Sequence, residues 1–225
     1  MKERPILFSG AMVRALLDGT KTQTRRILKV QPSDGWILDN LGTITSKHPK
    51  QSRFGVFLRR GVGTDFPQLD LLPCPYGMPG DRLYVRETFT MDDDGYSEWP
   101  VFQADGVALP AFPSTRKPAR WRPSIHMPRF FSRILLEITS VRVERLGDCS
   151  ETDAIAEGIY KTPAGFWSTY GQHDVDGTYN PLVSYRSLWE SINGAGSWAA
   201  NPWVWVVEFK RAESSVVADI CRNGA

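Results

Sequence analysis

Gly19-Thr20-Lys21-Thr22-Gln23-Thr24-Arg25-Arg26 is the densest chemical stretch of this 225-residue chain, with one lysine, two arginines and three hydroxyls in eight residues. It follows an apolar pattern, Met12, Val13, Ala15, Leu16 and Leu17, whose spacing predicts a short helix over 11–18 with Ser9 as its cap. Gly19 reads as the stop, because a left-handed residue at a helix end costs least without a side chain. The basic, hydroxyl-rich run therefore leaves the helix end and enters the next strand at a fixed position.

Working outward, Pro5-Ile6-Leu7-Phe8 upstream reads as a short buried strand. Downstream, Trp36-Ile37-Leu38 and Phe54-Gly55-Val56-Phe57-Leu58 are strands among turn-rich pieces. Met78-Pro79-Gly80-Asp81 is a turn leading into Arg82–Phe89, which alternates with strand period, Leu83 and Val85 facing inward. Trp99–Ala104 suggests another strand, and 105–125, rich in Pro, Arg and Trp, a long loop. Ser132–Glu144 has the clearest alternation in the chain. Ser150-Glu151-Thr152-Asp153 is a capping-box start for a short helix stopped by Gly158. Leu182–Ile192 carries Tyr185, Leu188, Trp189 and Ile192 on one helical face, and Trp203–Phe209 is a core strand. The expectation is an α+β fold built on a small β-barrel, a single domain over 1–211 with insertions near 31–75, 90–125 and 160–180 and a loose tail at 212–225.

Lys and Arg number 27 against 25 Asp and Glu, so the net charge of +2 does not by itself argue for nucleic acid. Its distribution says more. From Pro113 to Arg133 there are six Arg or Lys and no Asp or Glu, which predicts a local cationic face. The polar start and short apolar runs predict neither signal peptide nor membrane span, and hence a cytoplasmic protein without membrane contact. Cys74, Cys149 and Cys221, like His48, His126 and His173, are scattered, so neither a disulfide framework nor a bound metal or other cofactor is expected.

The spacing of Gly19, Lys21 and Arg26 resembles the G-x-K-x-x-E-x-R signature of the ASCH domain, a relative of the PUA RNA-binding fold found in phage and bacterial proteins. Thr24 stands where the commonest form has glutamate, and in this the chain is similar to the acetylcytidine amidohydrolase branch. The resemblance implies a PUA-like barrel with short flanking helices. It also implies Lys21 as proton acceptor, Thr24 as nucleophile and a downstream glutamate as proton donor. Glu157, at the end of the 150–158 segment, is similar in placement to that glutamate. The partner implied is a nucleoside or RNA.

The residues permit more than one chemistry. A threonine hydroxyl attacks only when a base takes its proton, and a lysine serves as that base only when burial or neighbouring cations depress its pKa. Arg25 and Arg26 supply such cations, or hold a phosphate or oxyanion. Glu157 at a helix C-terminus opposes the local dipole, which points to a partner such as Lys21 or a substrate amine. Glu87, beside Arg86, competes for the acid role or lines the pocket. Trp121, His126 and Arg129 lie in a Pro-rigid segment suited to stacking on a base and pairing with phosphate, or to latching the barrel. Three readings follow: removal of an acyl group from a modified cytidine by Lys21, Thr24 and Glu157; recognition of RNA or a modified base without chemistry; or a ribonuclease in which His126 and Lys21 act as acid and base.

Overall fold

In the computed structural model, residues 1–32, 35–45, 52–65, 68–93, 96–109, 119–170 and 177–212 are described. In chain order they form β1 (Glu3–Leu7), α1 (Gly10–Leu17), β2 (Gln23–Ile27), β3 (Trp36–Ile44), β4 (Arg53–Arg60) and β5 (Gln68–Pro73). Next come β6 (Arg82–Arg86), β7 (Phe89–Asp93), β8 (Glu98–Phe102) and β9 (Leu135–Arg145), then α2 (Glu151–Ala156), α3 (Pro181–Asn193) and β10 (Trp203–Arg211). The fold is α+β, with strands predominating over three helices. The chain groups into two compact units, one of Met1–Gly19, Asp81–Glu137 and Lys210–Ala225, the other of Thr20–Gly80 and Ile138–Phe209.

In the first unit β1 runs parallel to β6, and β6 pairs antiparallel with the start of β9, Leu83 opposite Leu136. The period of two sends Leu83 and Val85 into the core and Arg82, Tyr84 and Arg86 to the other face. The strand expected to run on to Phe89 stops at Arg86. Glu87 leaves the ladder, its backbone N–H donating to Met127 Sδ at 3.2 Å, and Phe89 starts β7 against β8 after bridging to Arg122. Phe89, Phe102 and Met127 form the core there. Ser9 caps α1 through its carbonyl, which accepts from Val13, and not through its hydroxyl.

In the second unit β2 pairs antiparallel with β10, Thr24 opposite Val207 and Arg25 opposite Val206. The order continues through β10 to β9. A separate antiparallel sheet, β3–β4–β5, occupies the stretch anticipated as an insertion at 31–75. Its third strand, Gln-Leu-Asp-Leu-Leu-Pro, escaped the sequence reading because its alternation is weak and its ends are polar. α2 and α3 pack with β10 around Leu146, Ala154, Tyr185, Trp189, Val204 and Val206. The barrel expected from the sequence is not closed among the described residues: the sheet orders end at free edges, β1 in the first unit and β2 in the second. The expected tail falls mostly on 213–225, outside the described residues.

Candidate active site

Lys21, Thr24, Arg25, Arg26 and Glu157 all belong to the second unit. Two glycines fix the segments that carry them. Gly19, at φ +75°, ends the turn after α1, and Gly158, at φ +82°, ends the turn after α2, so that Glu157 caps a two-turn helix instead of continuing it. At the other end of α2 the anticipated capping box is complete: Ser150 Oγ accepts from the Asp153 N–H at 3.1 Å, and the Ser150 N–H donates to Asp153 Oδ2 at 3.1 Å. Lys21 then forms a backbone bridge with Glu157, and the Thr22 N–H donates to Ala156 O at 2.9 Å.

These bonds bring together a lysine and a glutamate 136 residues apart. Lys21 Nζ donates to the Glu157 backbone carbonyl at 2.7 Å and to Glu157 Oε2 at 3.0 Å, and both residues are only 3% exposed. The other oxygen, Oε1, accepts from Arg25 Nη1 at 3.3 Å. Tyr185, from α3, is buried near this pair, and burial together with the Glu157 charge raises its pKa well above the ordinary tyrosine value.

Arg25 is itself enclosed. Its Nη2 lies 2.6 Å from Glu144 Oε1 and 3.3 Å from Asp153 Oδ2. Arg142 ties the same acids together, through Nε to Glu144 at 2.8 Å, through Nη2 to Asp153 at 2.9 Å and through Nη1 to Glu208. Gln23 adds an amide donor to Asp153 Oδ1 at 3.1 Å. All three guanidinium nitrogens of Arg25 face carboxylates: Nε and Nη2 reach Glu144, Nη2 also lies near Asp153, and Nη1 reaches Glu157.

Electrostatics set the two ends of the pair apart. Burial pushes the Lys21 ammonium below its ordinary pKa; Glu157 works against that shift, while Arg26 and Arg25 add to it. Burial of Asp153 opposes its charge, but hydrogen bonds from Ser150 and the Arg25 guanidinium hold it well below the usual carboxylate range. Cys149, next to this network, is pushed up to about 12 by burial and stays a thiol.

Thr24 is 2% exposed and lies on the face of β2 opposite Gln23 and Arg25. Arg26 shares that face, and its charge reaches Tyr76, a residue with no motif or spacing to single it out. Lys21, at the head of the strand, feels the cations of both faces. Sequence reasoning also passed over Glu144 and Tyr185. Each reads as a strand end or a helix core position, and only the packing of α2 and α3 reveals their polar partners.

The remaining anticipated residues lie in the first unit. Glu87, 1% exposed, is clasped by Arg133 through two bonds of 2.9 Å and does not pair with its neighbour Arg86. Arg86 donates to Ile125 O at 3.2 Å and stacks on Tyr84; Arg129 pairs with Glu3 at 2.7 Å and stacks on the same ring. Trp121 is half-buried, and His126 is exposed in a 3-10 turn. Among the described residues no group of three or more His, Cys, Asp or Glu side chains is arranged to hold a metal ion, and no helix is long and apolar enough to cross a membrane. No protein-family model, curated protein or solved structure matches the chain.

Proposed function

We propose that the chain is an ASCH-type, PUA-like amidohydrolase that removes an acyl group from the exocyclic amine of a modified cytidine, with Lys21 as base, Thr24 as nucleophile and Glu157 as acid. The observation that carries this reading is the 3.0 Å contact between two ionisable groups, both almost wholly buried, at a helix end. A buried ammonium–carboxylate pair is one proton shift away from a neutral amine beside a neutral carboxylic acid. That form is a base and an acid ready side by side. The surroundings accommodate it: Lys21, Arg25 and Arg142 face four carboxylates, Glu144, Asp153, Glu157 and Glu208, so one carboxyl can carry a proton without leaving a cation unpaired.

In the first step the Lys21 amine takes the Thr24 proton as Thr24 Oγ bonds to the acyl carbon. Glu157 gives its proton to the cytosine amine as the C–N bond breaks. Water then adds to the acyl-threonine, one of its protons passing to the Glu157 carboxylate. The C–O bond to Thr24 breaks, and the Lys21 ammonium returns the proton to Thr24 Oγ. The products are cytidine and a carboxylic acid, and all three residues end as they began. A second reading, recognition of a modified base or RNA without chemistry, draws support from the placement of Thr24 on the opposite face of β2 from Arg25.

Chromatographic release of cytidine from acetylcytidine tests the proposal. Wild-type turnover should fall about 10²- to 10⁴-fold in Lys21→Ala and Glu157→Gln, and disappear in Thr24→Val. Turnover that survives in Thr24→Val but not in Lys21→Ala would hand the nucleophile to water. A folded wild type without turnover would sink the amidohydrolase reading and leave the binding one.

A further inference from the structure

The solvent side of α3 borders a cavity that the chemistry of Lys21 and Glu157 does not use. Val183, Arg186, Ser187 and Glu190 recur there at helical spacing, on the face opposite the buried Tyr185, Leu188 and Trp189. With Thr169 and Tyr170 from the preceding loop and Ala195 beyond the helix end, they line a volume of about 450 Å³. Its walls are tied together. Ser187 Oγ accepts from the Tyr170 N–H at 2.9 Å and donates to Ser184 O at 2.7 Å, while Ser184 Oγ donates to Ser168 O. The loop is thereby fixed to the helix, so the cavity exists before anything enters it, and its volume is that of a small-molecule site.

The polar groups in it are few and specific. Arg186 Nε lies 3.5 Å from Glu190 Oε1, and among the described residues neither side chain has another partner. A contact that long leaves the Nη1 and Nη2 edge of the guanidinium and the second carboxylate oxygen open to a ligand. Thr169 Oγ1, in the wall, has no hydrogen-bond partner, a deficit that a turn about χ1 towards a ligand would make good. The rest is apolar: Val183, Ala195 and the ring of Tyr170, which Tyr160 braces edge-on at 5.8 Å. Burial pushes the Tyr170 phenol up to about 12, so it adds no charge near neutral pH.

Charge selects the occupant. A simple anion would satisfy Arg186 and be repelled by Glu190, and a simple amine would meet the reverse. An α-amino acid carries both charges on one carbon and matches both side chains at once. Its carboxylate suits the guanidinium edge, which binds such a group through two parallel hydrogen bonds, and its ammonium suits Glu190. The apolar wall then takes the side chain. We propose that this cavity binds a free α-amino acid with a large apolar side chain, its carboxylate on Arg186, its ammonium on Glu190 and its side chain against Tyr170 and Val183. The proposal is independent of the hydrolytic one, since none of these residues belongs to the candidate active site.

Amide NMR of the isotope-labelled protein, titrated with L-phenylalanine, tests it. The amides of Thr169, Tyr170, Ser187 and Glu190 should move along saturating curves with a Kd of about 1 mM. Phenylalaninamide, which lacks the carboxylate, and N-acetylphenylalanine, which lacks the ammonium, should each bind about 10- to 100-fold more weakly. Arg186→Gln and Glu190→Gln keep the approximate size of each side chain and should each weaken phenylalanine by a similar factor, with the amides of the core strands unmoved. Lys21→Ala should leave the curves unchanged, which keeps failure of the two proposals distinguishable. No saturation by about 20 mM, equal binding of either blocked derivative, or indifference to either glutamine substitution would overturn the assignment.

Discussion

Glu87 and Glu157 are both almost wholly buried glutamates braced by an arginine, and they differ in the second partner. Glu87 has both oxygens engaged by Arg133, which also holds Asp105 and lies over the Phe102 ring at 4.2 Å. Glu157 divides its oxygens between Arg25 and Lys21. An arginine keeps its proton at any working pH, so the first glutamate is locked into an ion pair. A lysine depressed by burial can release one, so the second glutamate faces a partner whose charge can change. The first arrangement is a latch that ties the link between β6 and β7 to Arg133 and Asp105, and the second places a buried carboxylate beside a lysine whose pKa is lowered.

The largest test of this contrast is stability. Arg133→Ala leaves Glu87 buried without its cation and should cost about 3–5 kcal/mol in urea unfolding. Lys21→Met leaves Glu157 with Arg25 and should cost less, about 1–3 kcal/mol. Equal losses in the two variants would erase the distinction between a latch and a shared acid.

The pH dependence of stability sharpens it further. Because the folded-state pKa of Lys21 is lowered, the unfolded chain binds more protons than the folded one between that value and the ordinary lysine value of about 10.4. Stability contributed by this residue therefore rises with pH across that window. Urea midpoints of wild type should climb relative to Lys21→Met as the pH rises towards the ordinary lysine value, whereas Arg133→Ala should run parallel to wild type. Asp153 has the same sense in a lower window: its lowered pKa gives stability that is present above about pH 4 and lost as pH falls through the folded-state value, so Asp153→Asn should blunt acid unfolding.

The smallest effect belongs to the helix that presents Glu157. Ser150→Ala removes the Oγ that accepts from the Asp153 N–H and donates to Asp153 Oδ2 at 2.6 Å. It should cost about 1 kcal/mol, with turnover on acetylcytidine falling if α2 is what aligns Glu157. Unchanged turnover with reduced stability would mean that Arg25 and Lys21 align the carboxylate without the cap.

Local sequence determined the elements that depend on neighbours along the chain. The stop at Gly19, the capping box at Ser150, the alternation of β6 and β9, and the placement of Glu157 at a helix end are all interactions within four residues or within one strand, where spacing fixes which side chains meet. Tertiary structure decided what spacing cannot reach. It sent Lys21 to a glutamate 136 positions away, occupied Arg25 with Glu144 and Asp153, gave Glu87 to Arg133 in place of Arg86, and set Thr24 on the face of β2 away from those acids. The reason is the same in each case. A buried charge must find its counter-charge wherever the packing of strands and helices brings one, and that choice is made by the folded core as a whole.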